Sequence, residues 1–242
     1  MDRLTITAAS GLRARMESME MLANNLANAS AAGYKLDRES YGLYAAPEAD
    51  GIISRQPVIE GQWTDYSQGT LTPTGNSLDL ALAGGGFFAV NGPGGTLYTR
   101  NGAFRLSTNG TLETKDGYAV RAVGGGTIAA DPAQPVEITS DGTVRQRGAE
   151  VGRIELADVS QPSALTKQNS LYFRLDPGSR AKVSASSAQV LQGRLESSNV
   201  GAAESAVRMI SVMRQFEMLQ RAVTLGAEMN RRGVEDVARV GQ

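Results

Sequence analysis

Glycine and proline are concentrated in the middle of this 242-residue chain, and their uneven distribution constrains the fold more than any other feature. Residues 51–190 contain 20 of the 28 glycines and 7 of the 8 prolines. Both residue types favour turns and are disfavoured inside helices. The middle is therefore predicted to form short strands joined by turns, and the two ends are predicted to be helical.

The N-terminal segment carries a narrow row of apolar residues, which we call the apolar row. Its members lie four, three, four and three residues apart: Leu12, Met16, Met19, Ala23 and Leu26. This spacing is typical of a coiled-coil seam and is narrower than the stripe of an ordinary globular helix. It predicts a helix from about Leu4 to about Ala29, which Gly33 would end.

The C-terminal segment continues such spacing over more than thirty residues. After a predicted N-cap at Gly201, steps of three and four residues pass through Ala206, Met209, Met213, Phe216, Gln220 and Val223. A helix this long spans roughly 50 Å, so we expect much of it to pack against the other terminal helix or another subunit. A polar residue on the seam, here Gln220, would fix the register of a coiled coil. Periodicity alone leaves open whether each seam is a coiled coil or the core face of one globular helix.

Turn dipeptides recur between the helical ends at the spacing of hairpins. They are Asn101-Gly102, Asn109-Gly110, Asp116-Gly117 and Asp141-Gly142. They separate short alternating runs, which is the pattern of an antiparallel meander. The predicted fold class is a mainly β central domain with long terminal α-helices that form coiled coil on assembly. The predicted divisions are an N-terminal helical assembly segment at 1–35, an extended linker at 36–70, the central β domain at 71–190 and a C-terminal helical assembly segment at 191–242.

Missing residue types exclude most catalytic chemistry. The chain has no histidine and no cysteine, so it cannot form a Ser-His-Asp triad, a cysteine nucleophile or a thiolate or imidazole metal site. A formal net charge of -1 gives no bulk attraction to nucleic acid or to an anionic membrane. No apolar run approaches the roughly 20 residues of a membrane helix, and the N-terminus lacks the pattern of a signal peptide. We expect no catalytic, cofactor-binding or metal-binding residues, no nucleic-acid partner and no membrane insertion.

Three other functions compete with a purely structural role. A carbohydrate-active enzyme acting on cell wall would need two carboxylates in one cleft, and the candidates are Asp79, Glu113, Asp116 and Asp141. A monomeric fibre-like or adhesin-like binding module is the second alternative. Residues 84–89 match a loose dinucleotide-binding fingerprint, but the following residues cannot form the required helix, so we predict a tight strand connection there.

Four blocks of sequence resemble the bacterial flagellar rod, hook and hook-associated proteins. Residues 23–30, which read ANNLANAS, followed by Gly33, Tyr34 and Lys35, resemble the N-terminal signature of that family. The other blocks agree with it in the same order along the chain: 74–82 followed by Gly84, Gly86, Phe87 and Phe88; 98–104 followed by Gly110, Leu112, Thr114 and Gly117; and 196–200 followed by 209–210 and 214–217.

The resemblance implies a non-enzymatic structural subunit of the flagellar basal body. The start of the chain and its modest length look most like the proximal-rod type, with the distal-rod or hook type as the alternative. The resemblance implies copies arranged helically around a hollow axis, inner tubes of coiled coil, and a rod that carries motor torque to the hook. It also implies neighbouring rod proteins and the flagellar export apparatus as partners. The location would be the periplasm-spanning rod, reached without a cleavable signal peptide.

The resemblance also leads us to predict a subunit interface. We interpret Asn24, Asn25 and Asn28 as amides that bond across neighbouring subunits, where an unpaired amide would disfavour slipped registers. Each terminal seam buries little apolar area alone, so we expect both ends to be largely disordered until they join the rod. The full predicted set is Leu12, Met16, Met19, Asn24, Asn25, Leu26, Asn28, Asn199, Val200, Met209, Ile210, Met213, Phe216, Gln220 and Val223.

Overall fold

The chain divides into two compact units. The computed structural model describes the backbone of residues 3–47 and 53–240 and the side chains of residues 8–43 and 58–232. The helical unit comprises Met1–Ala27, Asp37–Thr64 and Gly201–Gln242, and the β unit comprises Asn28–Leu36 and Asp65–Val200. The fold is mostly antiparallel β structure with one helix in each terminal segment, as the glycine and proline distribution predicts.

The helical unit contains two helices and one long strand pair. Its elements are α1 (Arg3–Ala27), β1 (Asp37–Pro47), β2 (Ile53–Thr64) and α2 (Ala202–Val240). The helices pack against each other, and α1 also packs on β2. With 39 residues, α2 is about 58 Å long at 1.5 Å per residue.

The strands β1 and β2 lie in the segment that was predicted to be an extended linker. They pair antiparallel from Asp37 opposite Thr64 onwards, with a register shift between Ser40 and Tyr41. Neither strand alternates cleanly between apolar and polar residues, so the local pattern does not predict pairing. A two-stranded ribbon of this kind is stabilised by packing against another element, and here that element is α1.

The side of α2 that packs within the chain, which we call its inner face, also has heptad spacing. The shielded residues at this spacing are Ser205, Met209, Val212, Phe216, Leu219, Val223 and Gly226, and Ala206 and Gln215 beside them are also half-buried. Two predicted positions differ, because Met213 and Gln220 are exposed and the preceding residues Val212 and Leu219 occupy the face. Gln220 is therefore not a polar position within this packed seam. Adjacent residues continue a three-four spacing equally well, so periodicity could not choose between them.

The buried face of α1 is formed mainly by small and polar residues, together with Met21 and Leu22, instead of by the apolar row. It consists of Ala8, Gly11, Ala14, Ser18, Met21, Leu22 and Asn25. The apolar row lies to one side of this face, where Met16 is 50% exposed and Leu26 is 36% exposed. Bulky residues dominate a sequence pattern, whereas small residues allow the close approach of backbones. The pattern therefore detected the more exposed of the two rows.

The β unit is a set of short antiparallel strands. Their path in the main sheet is β14-β15-β6-β5-β9-β8-β7, with β13 pairing to β5 and β16. Three smaller groups are β10-β11-β12, β17-β4 and β18-β3. The strands are β3 (Leu71–Pro73), β4 (Leu80–Ala83), β5 (Phe87–Gly92), β6 (Gly95–Thr99), β7 (Phe104–Leu106), β8 (Leu112–Thr114), β9 (Ala119–Val120), β10 (Glu137–Ile138), β11 (Thr143–Gln146), β12 (Ala149–Arg153), β13 (Leu156–Val159), β14 (Leu165–Lys167), β15 (Tyr172–Leu175), β16 (Val183–Ala185), β17 (Gln189–Gln192) and β18 (Arg194–Glu196).

The core of the β unit lies on both faces of β5. Phe88 and Val90 point into the larger apolar cluster, and Phe87 and Ala89 point into a second one on the opposite face. This alternation follows from the two-residue period of a strand. A strand buried on both faces needs apolar residues at consecutive positions, as the run 87–90 provides.

The predicted turns agree with the observed meander in most places. Gly110 and Gly117 have positive φ angles of 79° and 84°, and they close the β7-β8 and β8-β9 hairpins. The Asn101-Gly102 turn is different, because β6 pairs with β5 and β15 whereas β7 pairs with β8. Gly102 is instead required for close packing, since a Cβ there would lie 1.8 Å from the carbonyl oxygen of Leu80.

The glycine run at 84–86 joins β4 to β5, as predicted for a tight strand connection. Within the described part of the chain, neither helix combines the length and the apolar character needed to span a membrane.

Candidate functional site

Three charged residues from distant parts of the chain form a buried cluster in the β unit. Glu196 accepts hydrogen bonds from the Nζ atom of Lys35 at one carboxylate oxygen and from Arg100, at 3.2 Å, at the other. The three side chains are 0%, 0% and 4% exposed for Glu196, Lys35 and Arg100. Each residue belongs to a different family-like block, so the cluster joins three of the four blocks in space.

Backbone groups add further hydrogen bonds to this cluster, although the Nε atom of Arg100 is buried without a hydrogen-bond partner. The Lys35 ammonium also donates to the carbonyl of Ser67 at 2.6 Å, and Arg100 donates to the carbonyl of Gly84 at 2.8 Å. The amide of Gly69 donates to the Glu196 carboxylate at 2.9 Å. Gly84 thus contributes a carbonyl acceptor to Arg100, which is a structural use of the glycine run.

Burial dominates the electrostatics of the two cations. It lowers the pKa of the Lys35 ammonium, and the adjacent Glu196 carboxylate opposes that shift. The pKa of the Arg100 guanidinium is lowered for the same reason and opposed by the same carboxylate. Glu196 is therefore the counter-charge on which both buried cations depend.

Gly33 brings the N-terminal block against the hairpin block. Its φ angle is +69°, in the left-handed region, and a Cβ would lie 2.3 Å from the backbone of both Arg100 and Asn101. Its amide donates to the carbonyl of Glu196 at 2.7 Å. Glycine is required here both by backbone conformation and by space.

Asn199 joins two segments of the β unit, the one that precedes β1 in the sequence and the one that follows β2. Its side-chain oxygen accepts from the amide of Leu36 at 2.7 Å, and its side-chain nitrogen donates to the carbonyl of Asp65 at 2.8 Å. The amide of Asp65 also donates to the carbonyl of Leu36 at 2.8 Å. Asn199, which we predicted at a subunit interface, therefore has hydrogen-bond partners within its own chain, and Val200 beside it is buried.

Glu39 connects three elements of the helical unit. One of its carboxylate oxygens accepts from Ser18 of α1 at 2.7 Å, from Tyr41 of β1 at 2.9 Å and from Arg208 of α2 at 3.1 Å. The Glu39 side chain is fully buried. This carboxylate therefore sets how the two helices meet the strand pair.

Asn25 also has its partners within the chain. Its amide group donates to the carbonyl of Asp37 at 2.8 Å and accepts from the amide of the same residue at 3.0 Å. The side chain is buried, so it fixes the start of β1 on α1. We interpret Asn25 from the sequence as an amide that bonds across neighbouring subunits; within one chain its amide group bonds to Asp37 of β1.

The remaining predicted interface residues occupy several surroundings. Met209, Phe216 and Val223 are half-buried on the inner face of α2, and Leu12 and Met19 are half-buried on α1. Asn28 is half-buried in the β unit. Those exposed in the single chain are Met16, Asn24, Leu26, Ile210, Met213 and Gln220. Exposed apolar side chains in such numbers on one unit are typical of interaction surfaces.

The four carboxylates that we considered for catalysis each serve local structure. Asp79 accepts from Asn76, Glu113 pairs with Arg105, and Asp116 accepts from Tyr172 at 2.6 Å. Asp141 accepts from the hydroxyls of Thr139 and Thr143, which lower its pKa to about 2. A general acid needs a raised pKa, so Asp141 is unsuited to that role.

Metal binding receives no support from the part of the chain that the structure describes. It contains no group of three or more acidic ligands that could hold an ion.

Two sets of residues were not predicted to act together: Lys35, Arg100 and Glu196, and also Ser18, Glu39 and Arg208. The first three lie inside family-like blocks, but their partners are 65 to 161 residues away and no local pattern reveals such pairing. One signal was present in the sequence, for Arg100 alone: it is an isolated charge among the uncharged residues of 96–104, whereas Lys35 has Asp37 and Glu196 has Arg194 two residues away. Isolated charges in such surroundings are candidates for buried pairs.

Three family models match the chain in separate regions. The flagella basal body rod protein model matches residues 7–35, and the flagellar hook protein FlgE/F/G D1 domain model matches residues 81–146. The flagellar basal body rod FlgEFG protein C-terminal model matches residues 191–235. The charge cluster thus lies in or beside these matched regions.

Similar proteins cover nearly the full length. The flagellar basal-body rod protein FlgF of Caulobacter vibrioides is 34% identical over 92% of this chain and 92% of its own. The flagellar basal-body rod protein FlgG of Agrobacterium fabrum is 32% identical over 94% of this chain and 96% of its own. FlgG of Bacillus subtilis is 30% identical, with coverages of 95% and 97%. The chain therefore belongs to the family of flagellar basal-body rod proteins, which are structural, non-enzymatic components of the flagellum.

Proposed function

We propose that this chain is a subunit of the proximal part of the flagellar rod, where copies polymerise helically and transmit motor torque to the hook. The observation that carries the proposal is the apolar surface left exposed on both terminal helices. Met16 and Leu26 on α1 and Val207, Ile210 and Met218 on α2 are each at least 36% exposed in the single chain. Burial of such side chains at about 25 cal/mol per Å² would stabilise an assembly.

The β unit supports the same proposal through its rigidity. Its two apolar clusters and the buried Lys35-Glu196-Arg100 cluster are formed within one chain, which favours a stiff body. A subunit that transmits torque needs a stiff body as well as interlocking helices. In the helical unit, the buried Glu39 carboxylate links α1 to α2 by accepting hydrogen bonds from Ser18 and Arg208.

The assignment to the proximal rod is supported by the FlgF protein of Caulobacter vibrioides, which is somewhat more similar than the FlgG proteins compared above. A subunit of the distal rod is the second candidate, favoured by the near-complete coverage of the FlgG relatives.

Complementation distinguishes these two positions. The chain is expressed in one bacterium that lacks its FlgF-type protein and in another that lacks its FlgG-type protein, and isolated basal bodies are analysed by mass spectrometry. Incorporation and restored swimming in the first strain alone are expected. Restoration in the second strain alone would assign the distal rod, and absence from the basal bodies of both would contradict the proposal.

We further infer that the helices complete their folding on assembly and form coiled coil there. Among the described side chains of α2, from 202 to 232, only Ser205 and Val212 are buried. So little burial offsets a small part of the ordering cost of about 1 to 2 kcal/mol per residue. Incompletely folded ends would also suit passage through the export apparatus to the periplasm-spanning rod.

A further inference from the structure

The side of α2 opposite its inner face carries a second apolar surface, which we call the outer face. It contains Val207, Ile210, Met218, Leu225 and Met229, which are 48% to 69% exposed. At 100° per residue these positions centre about half a turn away from Val212, the most shielded apolar residue of the inner face. The helix is therefore apolar on two opposite sides, of which its own chain shields one.

The outer face bears a groove whose lining has the geometry of coiled-coil packing. The groove has a volume of about 370 Å³ and is lined by Val207, Ile210, Ser211, Arg214, Gln215 and Met218. A coiled-coil hole is formed by residues i, i+3, i+4 and i+7 of one helix. The six lining residues are two consecutive holes of this kind, 207-210-211-214 and 211-214-215-218, with Ser211 and Arg214 shared. The small Ser211 side chain forms the common floor.

The apolar row of α1 has the matching shape. Its spacing of four and three residues is that of coiled-coil knobs, and Met16, Ala23 and Leu26 are exposed. From Leu12 to Leu26 the row is about 21 Å long, and the outer face from Val207 to Met229 is about 33 Å long. The row therefore fits within the length of the outer face.

Charge favours the same occupant. The exposed Glu20 borders the apolar row of α1, where the exposed Arg13 is already paired with Glu17, and the exposed Arg214 lines the groove. These are opposite charges, which favour the contact between α1 and α2. Two outer faces meeting about a twofold axis would instead bring Arg214 close to its own copy, which is unfavourable.

We propose that the outer face of α2 is the docking site for the apolar row of α1 from a second copy of this chain. This inference rests on the proposed function. The contact is heterologous, because two different surfaces meet, and a heterologous contact repeats into an open helical array instead of closing as a dimer. Each copy would present one knob surface and one hole surface, and α2 would lie between two α1 helices, its own and that of a neighbour.

Cysteine cross-linking tests this contact, since the chain has no cysteine of its own. Cells produce two versions together, Met16→Cys and Ser211→Cys, and isolated basal bodies are treated with a short bismaleimide. The expected result is a cross-linked dimer that requires both versions and therefore joins different chains. If Ser211→Cys impairs incorporation, Val207→Cys places the thiol on the same groove.

The other cross-linking results overturn the inference. A dimer formed by Ser211→Cys alone would mean that two outer faces meet, and a cross-link from Ser211→Cys to another rod protein would mean a different occupant. No cross-link in basal bodies that contain both versions would also contradict the contact. Absence of the unmodified chain from basal bodies would instead contradict the proposed function itself.

Filling the groove provides a second test with a matched control. Ser211→Phe occupies the shared floor, and Thr224→Phe adds the same bulk at an exposed position of α2 away from the groove. We expect Ser211→Phe to lower incorporation into basal bodies at least about tenfold, which corresponds to about 1.4 kcal/mol. The thermal unfolding of the free chain and the incorporation of Thr224→Phe should stay unchanged. Normal incorporation of Ser211→Phe would overturn the inference.

Discussion

At the scale of single residues, Gly33 combines two requirements that separate experiments can distinguish. Its positive φ angle disfavours any side chain, and the backbone of Arg100 and Asn101 leaves no space for one. Gly117 has a similar φ angle of +84°, but no atom lies within 4 Å of the point that a Cβ would occupy there. Comparison of the two glycines therefore isolates the contribution of close packing.

Replacement of Gly33 by alanine should destabilise the β unit much more than the same change at Gly117. Gly117→Ala is expected to cost about 1 kcal/mol from backbone strain alone. Gly33→Ala adds a clash between backbones and should cost several times as much, on the order of 3 kcal/mol or more. Urea unfolding followed by near-ultraviolet circular dichroism, which reports the buried tyrosines of the β unit, measures both. Equal losses would contradict the packing role.

The charge of Glu196 should be essential for the stability of the β unit. Glu196→Gln keeps the volume but leaves Lys35 and Arg100 buried without a counter-charge, which should cost about 3 to 5 kcal/mol. The control is Glu113→Gln, which breaks a pair with Arg105 whose side chain is 57% exposed, and should cost at most about 1 kcal/mol. The same unfolding measurement applies, and a wild-type midpoint for Glu196→Gln would refute this role.

Asp141 should make the β unit sensitive to acid in a defined range. Its pKa is about 2 in the folded chain, compared with 3.8 for an unperturbed aspartate side chain. Because the folded pKa is the lower one, the stabilisation is present above about pH 4 and is lost as the pH falls towards 2. Between pH 4 and 2 the unfolding temperature of the wild type should therefore fall faster than that of Asp141→Asn. Parallel curves would show that Asp141 does not contribute.

At the scale of elements, α1 has a buried face beside its apolar row, and α2 has an inner and an outer face. Sequence periodicity identified the apolar row of α1 but not its buried face, and it placed the inner face of α2 only in part. Both helices, the meander strands and the hairpin turns at Gly110 and Gly117 were predictable, because their signals are local. The buried face of α1 was not, since Ala, Gly and Ser give a weak apolar signal although they allow close packing. The displaced inner face of α2 was not predictable either, because Leu219 and Gln220 continue the spacing equally well.

The position of the inner face can be tested by adjacent substitutions on α2. Leu219→Asp places a charge on the half-buried inner face, whereas Gln220→Asp places it at an exposed position one residue later. We expect Leu219→Asp to destabilise the pairing of α1 with α2 by about 1 to 3 kcal/mol and Gln220→Asp to have an effect within about 0.5 kcal/mol. Hydrogen exchange of α1 peptides in isolated basal bodies that contain each variant measures this pairing. A larger effect of Gln220→Asp would restore the original prediction.

At the scale of the whole molecule, three of the family-like blocks contribute to one buried charge cluster. Lys35, Arg100 and Glu196 come from three blocks that are far apart in sequence and meet in one buried cluster. The resemblance identified the family and the order of the blocks, but it could not show this meeting, because pairing over 161 residues depends on the completed fold. The surroundings of the predicted interface residues also depend on the completed fold. Asn25 and Asn199 form hydrogen bonds within their own chain, whereas Met16 and Ile210 are exposed.

We propose that the β unit is complete in one chain, whereas the helices complete their burial only in the rod. Hydrogen exchange with mass spectrometry, applied to the free chain and to isolated basal bodies, separates these two behaviours. We expect the strands of 71–196 to be protected in both samples and residues 202–232 of α2 to become protected only in basal bodies. Protection of α2 in the free chain equal to that of the β strands would contradict it.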